Sequence, residues 1–126
     1  MRKINNFFLK KKILIYGLGK SGISTYNFLR RKAQINLFDD NPQNNLRFDK
    51  KCLSFSKIIK SHFDFIIISP GIDFSKCRLS KYLKQHSSKI YTDLDVFYSF
   101  FSNDSITITG TNGKSTTAKL LYDVLR

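Results

Sequence analysis

An α/β fold, a parallel sheet with helices on both faces, is predicted by three features of these 126 residues. Short runs of β-branched and aliphatic residues alternate with stretches whose apolar residues recur at helical spacing. Two of those runs lead straight into glycine-rich turns, at Gly17 and at Gly110, and each turn opens a helix. Alternation of this kind favours parallel pairing, because a crossover helix returns the chain to the same end of the sheet.

The elements follow in order. Lys12 to Tyr16 is an apolar strand, and after the first turn Ile23, Tyr26, Phe28 and Leu29 mark a helix from Ser21 to about Lys32. Ile35 to Asp39 is a second strand that ends on two carboxylates, Asp39 and Asp40; Asn41, Pro42, Gln43, Asn44 and Asn45 read as a loop. Ile58 and Ile59 end a short helix. Phe63 to Ile68 is the most strand-like run, stopped by Ser69, Pro70 and Gly71. A helix over Ser80 to His86 and a short strand at Ile90 and Tyr91 come next. Asp93 then caps a helix with Leu94, Phe97 and Phe101 on its apolar side. Ser102, Asn103 and Asp104 form a linker into a last strand, Ser105 to Thr109, where Ile106 and Ile108 alternate with Thr107 and Thr109. The closing helix, Lys114 to Arg126, carries Ala118, Leu121, Val124 and Leu125 as a stripe.

Two units are expected. Residues 1–102 form a Rossmann-like sheet domain. Residues 103–126 supply the first strand, phosphate loop and helix of a P-loop ATPase domain, whose other strands and acidic Mg²⁺ partner do not fit into the residues present. The chain therefore reads as an amino-terminal piece of a longer protein.

Composition narrows the function classes. A 41% hydrophobic share with 12 Phe and 6 Tyr is globular, not disordered. No run has the length to span a bilayer, and only Phe7, Phe8 and Leu9 precede Lys10 to Lys12, so no signal-peptide core is present. A cytoplasmic protein without a membrane partner is expected. Lys and Arg outnumber Asp and Glu by 22 to 9, a net charge of +13. The basic residues are scattered, at Lys10 to Lys12, Arg30 to Lys32, Lys50 and Lys51. They predict general attraction for anionic nucleotides and no nucleic-acid interface. Cys52, Cys77, His62 and His86 lack ligand spacing, so reduced thiols and no His/Cys metal site are expected.

Chemistry concentrates in the turns. Gly17-x-Gly19-x-x-Gly22 after a strand, with Asp39 about twenty residues on, is the dinucleotide fingerprint. Gly17 makes the turn, Gly19 lets a diphosphate approach the backbone, and Gly22 permits close helix packing. Lys20 and Ser21 offer a cation and a hydroxyl to that diphosphate. Alone, this turn would favour a nicotinamide or flavin enzyme. Ser69, Pro70 and Gly71 lie off a carboxyl strand end, where open α/β sheets bind ligands. The second turn, Gly110, Thr111, Asn112, Gly113, Lys114, Ser115 and Thr116, is a phosphate loop for ATP. It is tighter than the general motif, whose first glycine would fall at Ile108. Lys114 would reach the β- and γ-phosphates, and the Ser115 hydroxyl would sit on Mg²⁺.

Taken in order, these segments resemble the amino-terminal part of the Mur ligase family. The resemblance runs through Gly17 to Gly22, Asp39 and Asp40, Ser69 to Ile72, Asp93 to Phe97, and Ile108 to Thr116, over essentially the whole chain. Thr109 to Thr116 resembles the superfamily at large, folylpolyglutamate synthetase included. The first turn is similar to that of the L-alanine- and D-glutamate-adding members, and Ser69 to Ile72 favours the latter. The resemblance implies a three-domain ligase of peptidoglycan precursor synthesis, expected to act as a monomer on small-molecule substrates. Its first domain would hold the UDP moiety of UDP-N-acetylmuramoyl-L-alanine, its second ATP with Mg²⁺, and its third D-glutamate. ATP would phosphorylate the L-alanyl carboxylate, and the D-glutamate amine would attack the acyl phosphate.

Carried over by position, Gly19, Lys20 and Ser21 would approach the UDP diphosphate. Asp39, Asp40 and Asn41, with Ser69, Pro70 and Gly71, would lie beside uracil and ribose. Gly110 to Thr116 would hold ATP, with Lys114 as the catalytic contact to phosphate and Ser115 on Mg²⁺. Some family members place a hydroxyl and an arginine where Asp40 and Asn41 stand. An L-alanine-adding ligase and a non-catalytic dinucleotide-binding module are the rival readings.

Overall fold

The computed structural model describes residues 7–48, 50–101 and 104–126. Four strands, β1 (Lys12–Tyr16), β2 (Gln34–Phe38), β3 (Phe65–Ile68) and β4 (Ile90–Tyr91), form one parallel sheet in the order β2-β1-β3-β4. Six helices join or follow them: α1 (Lys20–Leu29), α2 (Pro42–Leu46), α3 (Phe55–Lys60), α4 (Ser80–Gln85), α5 (Asp93–Phe100) and α6 (Lys114–Leu125). The parallel α/β sheet expected from the alternating runs is present.

β1 is central because all its side chains from Ile13 to Tyr16 are apolar in bulk and can be buried on both faces. It pairs with β2 from Lys12↔Gln34 to Tyr16↔Phe38, and with β3 from Ile13↔Phe65 to Tyr16↔Ile68. Leu14, Tyr16, Ile66 and Ile68 pack against Ile58 of α3 and Tyr82 and Leu83 of α4. Ile13, Ile15, Leu37 and Ile67 meet Leu29 of α1 and Val96 of α5 on the other face. Phe8 closes that second face, with ring centroids 4.9 Å from Phe65, which is itself 5.2 Å from Tyr91.

Three expectations need correction. Residues 41–45 are not simply loop: α2 forms there because the Asn41 side chain accepts from the Gln43 amide and Pro42 stands in the first helical turn. Thr92, not Asp93, caps α5, through a reciprocal pair with Asp95. That entry angle turns Val96 inward and leaves Leu94, Phe97 and Phe101 exposed. Finally, residues 105–109 form no strand. No described strand runs beside them, and an unpaired edge gives their amides no ladder to join.

α6 does form, but its stripe stays outside the core: Val124 and Leu125 are exposed and only Leu121 is half-buried. The expected boundary between residues 102 and 103 falls outside the described residues. Among the described residues no helix is long and apolar enough to cross a membrane.

Candidate nucleotide-binding site

The chain leaves β1 toward β2 on one side and returns to β3 on the other, so the carboxyl ends of β1 and β3 flank the switch point of the sheet. The first turn sits there. Gly17 has φ +95°, a left-handed conformation that side-chain-bearing residues rarely adopt. Its amide donates to the Phe38 carbonyl at 2.9 Å, and its own carbonyl accepts from the Ser69 hydroxyl at 2.8 Å. A Cβ on Gly22 would lie 1.8 Å from the Gly17 carbonyl oxygen, so helix α1 can approach the turn only through glycine. The two outer glycines of the fingerprint are thus required by the fold itself.

Gly19 is different. Its φ is −72°, and a Cβ there would meet nothing within 4 Å. No protein contact demands glycine at this position. Gly19 is also the N-cap of α1 without a side-chain bond, which leaves the first-turn amides open to an external acceptor. An open glycine beside uncapped helix amides fits a phosphate group.

The residues around this point divide between two sides. Leu18, Gly19, Lys20 and Ile23 face Asn44 and Arg47 across an open cavity of about 610 Å³. Ser21 turns the other way, donates its hydroxyl to the Asp93 carboxylate, and borders an apolar cleft of about 200 Å³ with Phe28, Val96 and Phe97. Lys20 and Ser21, paired in sequence, therefore line different hollows.

Asp39 is buried and internally engaged. Its carboxylate accepts from the Leu18 amide at 2.6 Å and the Asn41 amide at 2.8 Å. Asn45 in α2 brackets its backbone, accepting from the Asp39 amide and donating to its carbonyl. Asp39 thus ties the first turn to the loop after β2. Asp40 accepts from the Tyr16 hydroxyl at 2.8 Å and from the Arg78 amide at 3.4 Å, while its second oxygen is buried with no partner among the described residues. Burial, reinforced by Asp40 and then Cys77, pushes the Tyr16 phenol far above its usual range. Ser69 is held by Gly17, whereas Pro70 and Gly71 are exposed and Gly71 has open space around it.

The second turn stands in solvent. Gly110 and Gly113 have φ +145° and +74°, and Gly113 caps α6 without a side-chain bond. Lys114 folds back to donate to the Gly110 carbonyl. Ser115 and Thr116 are exposed on the first turn of α6, and no cluster of three or more His, Cys, Asp or Glu side chains exists among the described residues. The left-handed glycine and uncapped helix start suit a triphosphate, with Thr111 and Asn112 between them. Ser105, then Thr107, hold the phenol of Tyr98 in α5 below its usual range by hydrogen bonding.

A family model described as the Mur ligase MurD-like, N-terminal domain matches residues 11–90, which run from the start of β1 into β4. The chain belongs to the Mur ligase family. It is 34% identical over 126 residues to the UDP-N-acetylmuramoylalanine--D-glutamate ligase of Rickettsia felis, covering 95% of this chain and 28% of that relative. The enzymes of that name from Rickettsia prowazekii, at 35% over 128 residues, and Lachnoclostridium phytofermentans, at 33% over 131, are covered to 28% and 29% of their lengths. For these the match takes in 95% and 94% of this chain. The chain thus spans little more than a quarter of these Mur ligases.

Sequence reasoning missed Asn45 and Arg47, because the Asn-rich stretch reads as loop and not as a helix that brings them back to the turn. It also missed the Tyr16–Asp40 bond, for which a tyrosine ending an otherwise aliphatic strand was the available signal.

Proposed function

We propose that this chain is the UDP-binding part, with the start of the ATP-binding part, of a ligase of peptidoglycan precursor synthesis. The complete enzyme adds D-glutamate to UDP-N-acetylmuramoyl-L-alanine through an acyl phosphate. The family membership and the names of the relatives support the reaction class. Gly19 carries the binding assignment: it is the one glycine of the first turn that no packing contact requires, and it lies beside amides that lack an acceptor.

In this reading the diphosphate rests on Gly19 and the first turn of α1, with Lys20 compensating its charge. Asp39 positions the turn through Leu18 and Asn41. Ser69 holds the Gly17 carbonyl, and Pro70 and Gly71 offer an unencumbered edge for the sugar. Gly110 to Thr116 would hold ATP, with Lys114 released from Gly110 to meet phosphate and Ser115 on Mg²⁺. ATP supplies the phosphoryl group that activates the L-alanyl carboxylate; the chain's own part is orientation and charge compensation.

Calorimetric titration of the 126-residue chain tests this reading. UDP-N-acetylmuramoyl-L-alanine should bind more tightly than NAD. The opposite order would replace the ligase reading with a dinucleotide-binding module.

A further inference from the structure

We propose that Arg47 is a second cationic contact for the nucleotide's phosphates, acting across the cavity from Lys20. This rests on the UDP-binding reading and goes beyond it by naming a specificity residue. Arg47 follows α2 directly, as its C-cap, and faces Gly19 and Lys20 over the 610 Å³ opening. Among the described residues the only ion pair is Lys76 with Asp73, so neither Lys20 nor Arg47 has an acidic partner. Both are exposed. Two exposed cations that line one open cavity, neither with a carboxylate partner, raise the local potential and favour an anion there.

The local chemistry explains why the cation is needed from α2. Asp39 and Asp40 bring two carboxylates to the end of β2, and the next residue, Asn41, is uncharged and caps α2. The Asp39 carboxylate is turned to the Leu18 and Asn41 amides, and Asp40 is turned to Tyr16 and Arg78. Asp39 is thereby engaged through both carboxylate oxygens and Asp40 through one. Asn45 clamps α2 to the Asp39 backbone, and that clamp fixes the helix from which Arg47 projects. A guanidinium with several donors then suits phosphate oxygens better than a lone ammonium does.

Titration of the 126-residue chain and its variants with UDP and with uridine tests the assignment. Arg47→Ala should weaken UDP binding about tenfold or more, as removal of a charged hydrogen bond does. Uridine affinity should stay unchanged, and the salt dependence of UDP binding should become shallower. Arg47→Lys should recover part of the loss. Arg47 is exposed, so thermal midpoints should match wild type. If Arg47→Ala binds UDP like wild type while Lys20→Ala is weakened, the Arg47 assignment is overturned and the UDP reading stands. Equal losses for uridine and UDP would overturn a phosphate role. Absence of UDP binding by the wild-type chain would overturn both.

Discussion

Gly22 reaches so close to Gly17 that an added methyl group would sit 1.8 Å from the Gly17 carbonyl oxygen. The obstacle is backbone, which cannot rotate aside as a side chain can. Gly22→Ala should therefore cost about 3 kcal/mol, the upper end for overpacking, in urea unfolding. Gly19→Ala should change stability by less than about 1 kcal/mol, because the entropy gained at a position whose φ and open surroundings suit alanine is offset by the poorer fit of alanine at a helix N-cap. The same Gly19 change should weaken UDP binding. A loss as large as that of Gly22→Ala, beyond what a weaker helix cap costs, would mean that this glycine, too, serves packing.

Alkaline stability should report Tyr16. Its phenol is held protonated by burial and then by Asp40 and Cys77, so its folded pKa lies above the unfolded value near 10. The stabilisation is complete below about pH 10 and is lost as pH rises beyond it, because only the unfolded chain then releases the proton. Each such group steepens the decline by about 1.4 kcal/mol per pH unit. Tyr16→Phe should make the fall above pH 10 shallower, with Tyr82, also raised by burial, supplying the remainder. Unfolding free energies measured from pH 8 to 11.5 check this; an unchanged slope would contradict it.

Hydrogen exchange should separate the two regions of the chain. β3 is paired on both sides and largely buried, whereas residues 105–109 have no ladder and α6 buries none of its residues. A helix of 12 residues without tertiary packing is marginal in water. Amides of 114–125 should exchange orders of magnitude faster than those of Phe65 to Ile68. Equal protection would show that α6 is packed.

The sheet was legible because its signal is local. Ile13 to Tyr16, Ile66 to Ile68 and the fingerprint glycines announce strand and turn through short-range pattern alone. The run Ser105 to Thr109 shows the limit of local pattern: Ile106 and Ile108 alternate as in a strand, but a strand forms only with a neighbour to pair with, and no described strand supplies one. α2 was missed because Asn and Pro favour loops and helix starts equally, and the capping bond from Asn41 decides between them. Part of the candidate site's geometry is legible in local pattern. Gly19 and Lys20 stood out, but the diversion of Ser21 to Asp93 and of Asp39 to Leu18 depends on contacts 72 and 21 residues apart. Such pairs leave no mark in spacing.

The central claim, that the first turn receives a uridine diphosphate, is tested most directly by amide-resolved NMR titration of the chain with UDP. Saturable shifts should be largest at the amides of Gly19, Lys20 and Ser21, with smaller ones at Asn44 and Arg47. Saturable binding that leaves those first three amides unmoved, with shifts elsewhere on the chain, would contradict the account.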